Sequence, residues 1–278
     1  CEVTGFDKAL LVVTGSEAND AVIQMMQRKR PDRKVLGIRG AYYGSTVGVR
    51  ALQCGAIDET TLPSGFNPDY IGGVFLQAFR GRDADFFPHD WVRAWVLWAQ
   101  AHDIPVGFDE MQSGMGRTGK WFGFQHFDIE PDFICLGKAL GGGLPISAVV
   151  GKKELLELSD DLWSTHTGNP VCCAAALASI EVLEEEKLVE RAATVGKLFG
   201  EMLVSTFPQY KVMGKGMIWG LDFKDKNYVS IVVEKCAKRG LLLVSTHSGI
   251  IKIGPPLTIP QGVLFEGLTI LRDVINET

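Results

Sequence analysis

The sequence predicts an α/β protein: a large domain on a mostly parallel sheet over residues 1–180, followed by a smaller α+β domain over residues 181–278. Three observations carry this. Short apolar runs alternate with helix-length stretches through the first half, the pattern of strands joined by crossover helices. From Asn169 onward the alternation gives way to two consecutive long helices and then a mixture of strands and helices. The 278 residues are 46% apolar and 22% charged, enough to bury a core in each domain and unlike a disordered composition.

The elements follow in order. Residues 10–13 form a short β-branched run ending at Thr14-Gly15-Ser16, and residues 17–30 read as a helix stopped by Pro31. Residues 34–38 and 73–77 read as strands. Residues 89–102 form an amphipathic helix rich in tryptophan, followed by a strand at 104–108 and apolar runs at Phe133–Leu136 and 146–150. Residues 170–186 and 188–207 are long helices, the first ending in the acidic run Glu184, Glu185, Glu186, a solvated helix end. Strands at 210–213 and 217–223, a helix at 228–239, strands at 241–244 and Ile250–Ile253, and a helix at 260–275 complete the chain. No internal repeat or low-complexity linker interrupts it.

Composition narrows the function. The net charge is −5 with no basic block, which argues against nucleic-acid or membrane-surface binding. No charge-free apolar run reaches membrane-spanning length, and no signal peptide is expected. The six cysteines (Cys1, Cys54, Cys135, Cys172, Cys173, Cys236) form no C-x-x-C pair, so they read as reduced thiols of a cytoplasmic protein. The histidines lack metal-ligand spacing, and no metal is expected; His102 and His126 read as surface or capping residues. No G-x-S-x-G elbow and no phosphate-binding G-x-x-x-x-G-K-[S/T] loop is present.

Gly114-Met115-Gly116-Arg117-Thr118-Gly119 matches the dinucleotide pattern G-x-G-x-x-G, but the next residues, Lys120-Trp121-Phe122-Gly123-Phe124, make a poor helix. A dinucleotide site needs a helix to open there and hold the pyrophosphate. Thr14-Gly15-Ser16-Glu17-Ala18, between a strand and a long helix, is the better anion cup: Gly15 admits close backbone approach, Ser16 adds a hydroxyl, and the helix start supplies N–H groups. Taken alone, Ser16 reads as an ordinary N-cap with Glu17 in the first turn.

Two further segments belong together. Asp109 ends a buried strand, where open α/β sheets bind ligands. Lys138 follows another short apolar strand, 29 residues later, and precedes Ala139-Leu140-Gly141-Gly142-Gly143. A lone lysine is usually a solvated surface group; with Asp109 the alternative is a nucleophile for a carbonyl. Asp109-Glu110-Met111-Gln112-Ser113-Gly114-Met115-Gly116-Arg117-Thr118-Gly119 and Gly137-Lys138, with Thr14-Gly15-Ser16-Glu17-Ala18, Ala41-Tyr42-Tyr43-Gly44 and Thr165-His166-Thr167-Gly168-Asn169-Pro170 in this order, resemble the class III (ω-) aminotransferases, fold-type I pyridoxal-phosphate enzymes. The resemblance runs from Thr14 to the C-terminal helix. It implies a transaminase moving an amino group from an amine donor to a keto or aldehyde acceptor. It implies Lys138 as the covalent anchor of pyridoxal 5'-phosphate and proton shuttle, and Asp109 as partner of the pyridinium nitrogen. Gln112 would bond the phenolic oxygen, Tyr42 and Met111 would cover the two ring faces, and Gly15 and Ser16 would hold the phosphate. Thr165 would reach the phosphate bound by a neighbouring subunit, implying a homodimer with shared active sites.

The chain departs from this pattern in three places. Only thirteen residues precede Thr14, where family members carry a long N-terminal segment, so the chain is expected to be truncated or completed by another polypeptide. Gln77-Ala78-Phe79-Arg80-Gly81-Arg82 stands where many members have Glu-Pro-x-Gln-Gly-Glu, and Lys252 stands where many have an arginine before Pro255-Pro256. The first change reads either as a tolerated loop or as a preference for anionic or hydroxylated substrates; the second replaces a bidentate fork by a point charge. Three alternatives follow: an aminotransferase; an aminomutase, epimerase or decarboxylase on the same fold; or a non-catalytic half of a split assembly.

Overall fold

The computed structural model describes residues 1–53 and 57–278; Cys54 lies outside the described residues. The chain divides into two compact units. One comprises Cys1–Phe79, Phe87–Met115 and Trp121–Leu183; the other comprises Arg80–Phe86, Gly116–Lys120 and Glu184–Thr278. The second unit thus takes two short segments from the first half of the chain as well as its C-terminal part.

The first unit is built on a six-stranded sheet in the order Lys8–Val12, Ser147–Gly151, Phe133–Leu136, Val106–Asp109, Ile71–Gln77, Lys34–Gly37. The last four pair in parallel, while Ser147–Gly151 runs antiparallel to both its neighbours. The exception has a simple cause. Only residues 137–146 link Phe133–Leu136 to Ser147–Gly151, too few for a helical crossover, so the chain returns in the opposite direction. Five strands therefore point the same way, and their C-terminal ends share one edge of the sheet.

The central strands are buried along their whole length, all seven residues in Ile71–Gln77 and all four in Val106–Asp109, as expected of a sheet covered on both faces. Helix Gly15–Lys29 buries Ala18, Val22, Met25 and Met26 on one face. It lies so close to the sheet that a β-carbon on Gly73 would meet Met26 Sδ at 2.3 Å. The tryptophan-rich helix His89–Ala101 buries Trp91 and Trp95, and both indoles donate to Thr61 O. His102 caps this helix, its Nδ1 lying 2.7 Å from Trp98 O.

The second unit carries a four-stranded antiparallel sheet in the order Val244–Ser245, Ile250–Ile253, Ile218–Asp222, Lys211–Lys215. Phe199, Leu203, Leu221, Ile251, Leu264 and Leu271 form its core with side chains from helices Leu188–Thr206, Lys226–Lys238 and Gln261–Asn276.

Several local expectations need correction. The 241–244 strand shrinks to Val244–Ser245, because Leu241 N still bonds Cys236 O and closes the preceding helix through left-handed Gly240. A seven-residue helix, Val47–Gln53, forms where none was expected. Ser16 is not the N-cap: Thr14 Oγ1 accepts from Glu17 N, and Glu17 Oε2 accepts from Thr14 N and Val13 N, a reciprocal capping box. Gly15 and Ser16 are therefore the first helical residues. No helix opens at Gly119; the next helical turn is the 3-10 segment Gly123–Phe127.

Candidate active site

Because five strands point the same way, the residues just beyond their C-terminal ends gather along one edge. Thr14 follows the strand Lys8–Val12, Gln77 ends the next-to-last strand, Asp109 ends the central one, and Lys138 follows Phe133–Leu136 by one turn residue. A cavity of about 280 Å³ opens at this edge. Gly15, Ser16, Tyr42, Asp109, Met111, Gln112 and Lys138 all line it. Thr165 does not; it is exposed in the turn at 164–169.

Asp109 is 6% exposed and faces three donors. Asn19 Nδ2 and Gln77 Nε2 donate to Oδ2 at 3.0 and 3.1 Å, and Met111 N donates to Oδ1 at 2.9 Å. Burial pushes the Asp109 carboxyl above its ordinary range; the Met111 amide, the Lys138 charge and the two side-chain amides oppose that push. The Lys138 amine is held below its ordinary value by desolvation, which outweighs the attraction of Asp109. Lys138 also has φ of 45°, in the left-handed region that a residue with a β-carbon rarely occupies.

The walls of the cavity are equally constrained. Met111 packs between two glycines: a β-carbon on Gly15 would meet its Sδ at 2.8 Å, and one on Gly137 at 2.6 Å. Gly44, at φ +132°, sits so close to Ser16 that a β-carbon would fall 2.3 Å from its Oγ, while Ser16 Oγ accepts from Ser45 N. Tyr42 is 57% exposed, whereas Tyr43 is buried, donating to Phe75 O and accepting from Ile38 N.

Asn19, Gln77 and Tyr43 were not among the site residues read from the sequence. One signal for Asn19 was available: it lies three residues after Ser16, on the same helical face. The cations of the sequence departures lie in the second unit. Arg80 pairs with Asp83 at 3.4 Å, and Lys252 Nζ lies 3.4 Å from Gly81 O.

The site fits a phosphorylated pyridine aldehyde. Its amine, its buried carboxylate and its helix start match aldehyde, ring nitrogen and phosphate. Among the described residues Asn19 Oδ1, beside Asp109, is buried without a donor and Asp109 Oδ1 accepts from Met111 N alone, so this corner is short of N–H donors, and a protonated ring nitrogen would supply one to Asp109. A lysine and an aspartate at one edge of such a sheet, facing an anion cup, define a pyridoxal-phosphate enzyme of fold type I.

Within that class, the chain belongs to the class III aminotransferase family, whose model matches residues 67–275. An acetylornithine aminotransferase from Archaeoglobus fulgidus is 32% identical, covering 94% of this chain and 73% of that one. A leucine/methionine racemase from Thermococcus litoralis is also 32% identical, covering 95% and 72%. Solved structures share the fold: an S-selective transaminase from Bacillus megaterium has a TM-score of 0.91 at 21% identity, covering 99% of this chain and 78% of that one. An ornithine delta-aminotransferase from Plasmodium falciparum has a TM-score of 0.87 at 26% identity, covering 99% and 75%. The protein is a pyridoxal-phosphate-dependent transaminase, moving an amino group from an amine donor to a keto or aldehyde acceptor. Among the described residues, no helix is long and apolar enough to cross a membrane.

Proposed function

We propose that transamination runs in the cavity between Gly15 and Lys138, with the first unit as the cofactor-binding domain and two copies of the chain sharing their sites. The observation that carries this reading is the placement of Asp109, Lys138 and the helix start at Gly15 around one cavity. Bound pyridoxal phosphate supplies an electron sink for the bond broken at the amine-bearing carbon. Everything else falls to the chain. Lys138 holds the aldehyde carbon and then moves the proton at the amine-bearing carbon. Its lowered pKa favours the neutral amine that this task needs. Asp109 binds the protonated ring nitrogen, and Gln112 the phenolic oxygen. Tyr42 and Met111 cover the ring faces and exclude water. The N–H groups of Gly15 and Ser16, at the positive end of the helix, hold the phosphate. Thr165, exposed on its turn, reaches the phosphate of the second copy.

The named relatives support two substrate classes. The relatives named acetylornithine aminotransferase and ornithine aminotransferase support ornithine-like amine donors. The leucine/methionine racemase and an isoleucine 2-epimerase from Lentilactobacillus buchneri favour a second reading, inversion at the amine-bearing carbon. The described cysteines are all free, which supports a reducing, cytoplasmic compartment. The test is a donor and acceptor screen: terminal amines and amino acids against pyruvate, 2-oxoglutarate and aldehydes, with both amino and keto products measured. Equal consumption of donor and acceptor is the expected result. Appearance of D-leucine from L-leucine, or of allo-isoleucine from isoleucine, with no acceptor consumed would overturn it in favour of the second reading.

A further inference from the structure

We propose that Asn19 and Gln77 are positioning residues that clamp the Asp109 carboxylate and the backbone at Tyr42 and Tyr43 into one frame. Each amide makes the same bridge. Asn19 Nδ2 donates to Asp109 Oδ2 at 3.0 Å and to Tyr43 O at 2.7 Å. Gln77 Nε2 donates to the same Asp109 oxygen at 3.1 Å and to Tyr42 O at 2.7 Å. Two amides from different elements, a helix and a neighbouring strand, thus each spend both N–H bonds on one carboxylate oxygen and on one of two consecutive carbonyls.

The partners force this arrangement. A backbone carbonyl and an ionised carboxylate only accept, so neither amide can be turned around. Serine lacks a second proton, and aspartate or glutamate lacks both. The amides are 1% and 4% exposed, and burying them is costly unless their groups are used; a site serving packing alone would be filled with apolar side chains. Because among the described residues Oδ2 receives both amides while Oδ1 receives only Met111 N, Oδ1 retains the spare capacity for another donor. The clamp therefore selects which oxygen meets the ring nitrogen, and it ties that oxygen to the loop carrying Tyr42.

The charged and titratable groups around Asp109 are Lys138 beyond the neighbouring strand, Glu110 next in sequence, Cys135 opposite in register, and Tyr43 on the loop. Of the groups that favour the carboxylate charge, Lys138 is committed to the cofactor aldehyde in the working enzyme, on the reading of the site given above. The Met111 amide and the two side-chain amides remain.

The experiment is a set of variants of the full chain: Gln77→Met, which keeps volume without donors; Gln77→Glu, which keeps shape and reverses the hydrogen bonding; Asn19→Leu; and Asp109→Asn as reference. The Asp109 carboxyl is titrated by carbon NMR before pyridoxal phosphate is added, and turnover and cofactor dissociation are measured afterwards. In Gln77→Met the Asp109 midpoint should rise by about one pH unit, with kcat falling about tenfold and amine KM within twofold of wild type. Gln77→Glu should raise the midpoint further, since two carboxylates at this distance share a proton. An unmoved midpoint with kcat within twofold in the folded Gln77 variants overturns the clamp. Should Gln77→Met fail to fold, Gln77→Glu and Asn19→Leu give the same decision. Unchanged turnover and cofactor retention in Asp109→Asn would instead overturn the role of Asp109 itself, whatever its midpoint does.

Discussion

At Lys138 the backbone turns through φ of 45°, where the β-carbon of any residue but glycine crowds the chain at a cost of about 1–2 kcal/mol. Such conformations persist where the surroundings hold a side chain for a purpose. Two outcomes follow for this residue. Lys138→Ala should abolish turnover while leaving the anion cup able to hold cofactor, and borohydride reduction of the native protein should place the label on the peptide containing Lys138. Lys138→Gly should be as inactive, yet its cofactor-free form should exceed the alanine variant in thermal stability by about 1 kcal/mol, because glycine adopts positive φ without strain. A lower midpoint for glycine than for alanine would show that the conformation is not strained. Asp109→Asn should reduce kcat far more than cofactor retention, because it weakens charge stabilisation where the reaction needs it. Both residues were legible in the sequence through a dense local motif. The bonds of Asn19 and Gln77 were not: their partner Asp109 lies 90 and 32 residues away; Asn19 offered only its helical spacing from Ser16, and a Gln in a strand carries no chemical signature.

Between Asp109 and the glycine-rich turn, the element that shapes the cavity floor is fixed by Glu110. Its Oε2 accepts from Ser113 Oγ and Gly123 N and its Oε1 from Phe124 N, at 2.6–2.7 Å. The 110–114 turn, which carries Met111 and Gln112, is thus tied to the start of the 123–127 segment. Burial pushes the Glu110 carboxyl up to about 7, against these three donors. The sign follows from proton counting. Below about 4.5 folded and unfolded chains both carry the proton; from there to about 7 only the folded chain does, so this group's contribution to stability falls as pH rises across the window and levels off above it. In Glu110→Gln that part of the slope should vanish, leaving the slope of the same sign from Asp109. At pH 5 the variant should lose about 1–3 kcal/mol, since its amide opposes a backbone donor, and the deficit should shrink toward pH 8. Urea unfolding across pH checks this; a deficit that grows with pH would refute it. The sequence displayed the motif but not the clamp, because the bonds run to main-chain N–H groups that no residue type announces. Helix Val47–Gln53 was missed for a related reason: seven residues with an internal glycine give too short a pattern.

Alternation of strand-like and helix-like segments was sufficient to foresee the α/β architecture, because it depends on burial periodicity and connection length. The antiparallel strand Ser147–Gly151 escaped because its direction depends on the short link before it and not on its own residues. Assembly is the property of the whole molecule with the clearest surface trace. Helix Pro170–Glu185 is apolar on nearly every side, yet Val171, Leu177 and Val182 are 66%, 62% and 40% exposed, and Trp163, just before the Thr165 turn, is 69% exposed. An apolar helix with an uncovered face is expected to bury it against a partner. On the proposed two-fold dimer each such residue is buried twice, so replacing Val171 and Leu177 by glutamate removes four apolar contacts worth about 1.5–3 kcal/mol apiece and introduces four charges. The double variant should sediment as a monomer at concentrations where the native protein is a dimer. Because Thr165 would then lose its partner's phosphate, the monomer should release pyridoxal phosphate on dialysis, while Thr165→Ala should remain dimeric and bind cofactor about 1–3 kcal/mol more weakly. Following mass, bound cofactor and turnover together during dilution separates these effects. A monomer that keeps both its cofactor and full turnover would mean that each chain completes its own site.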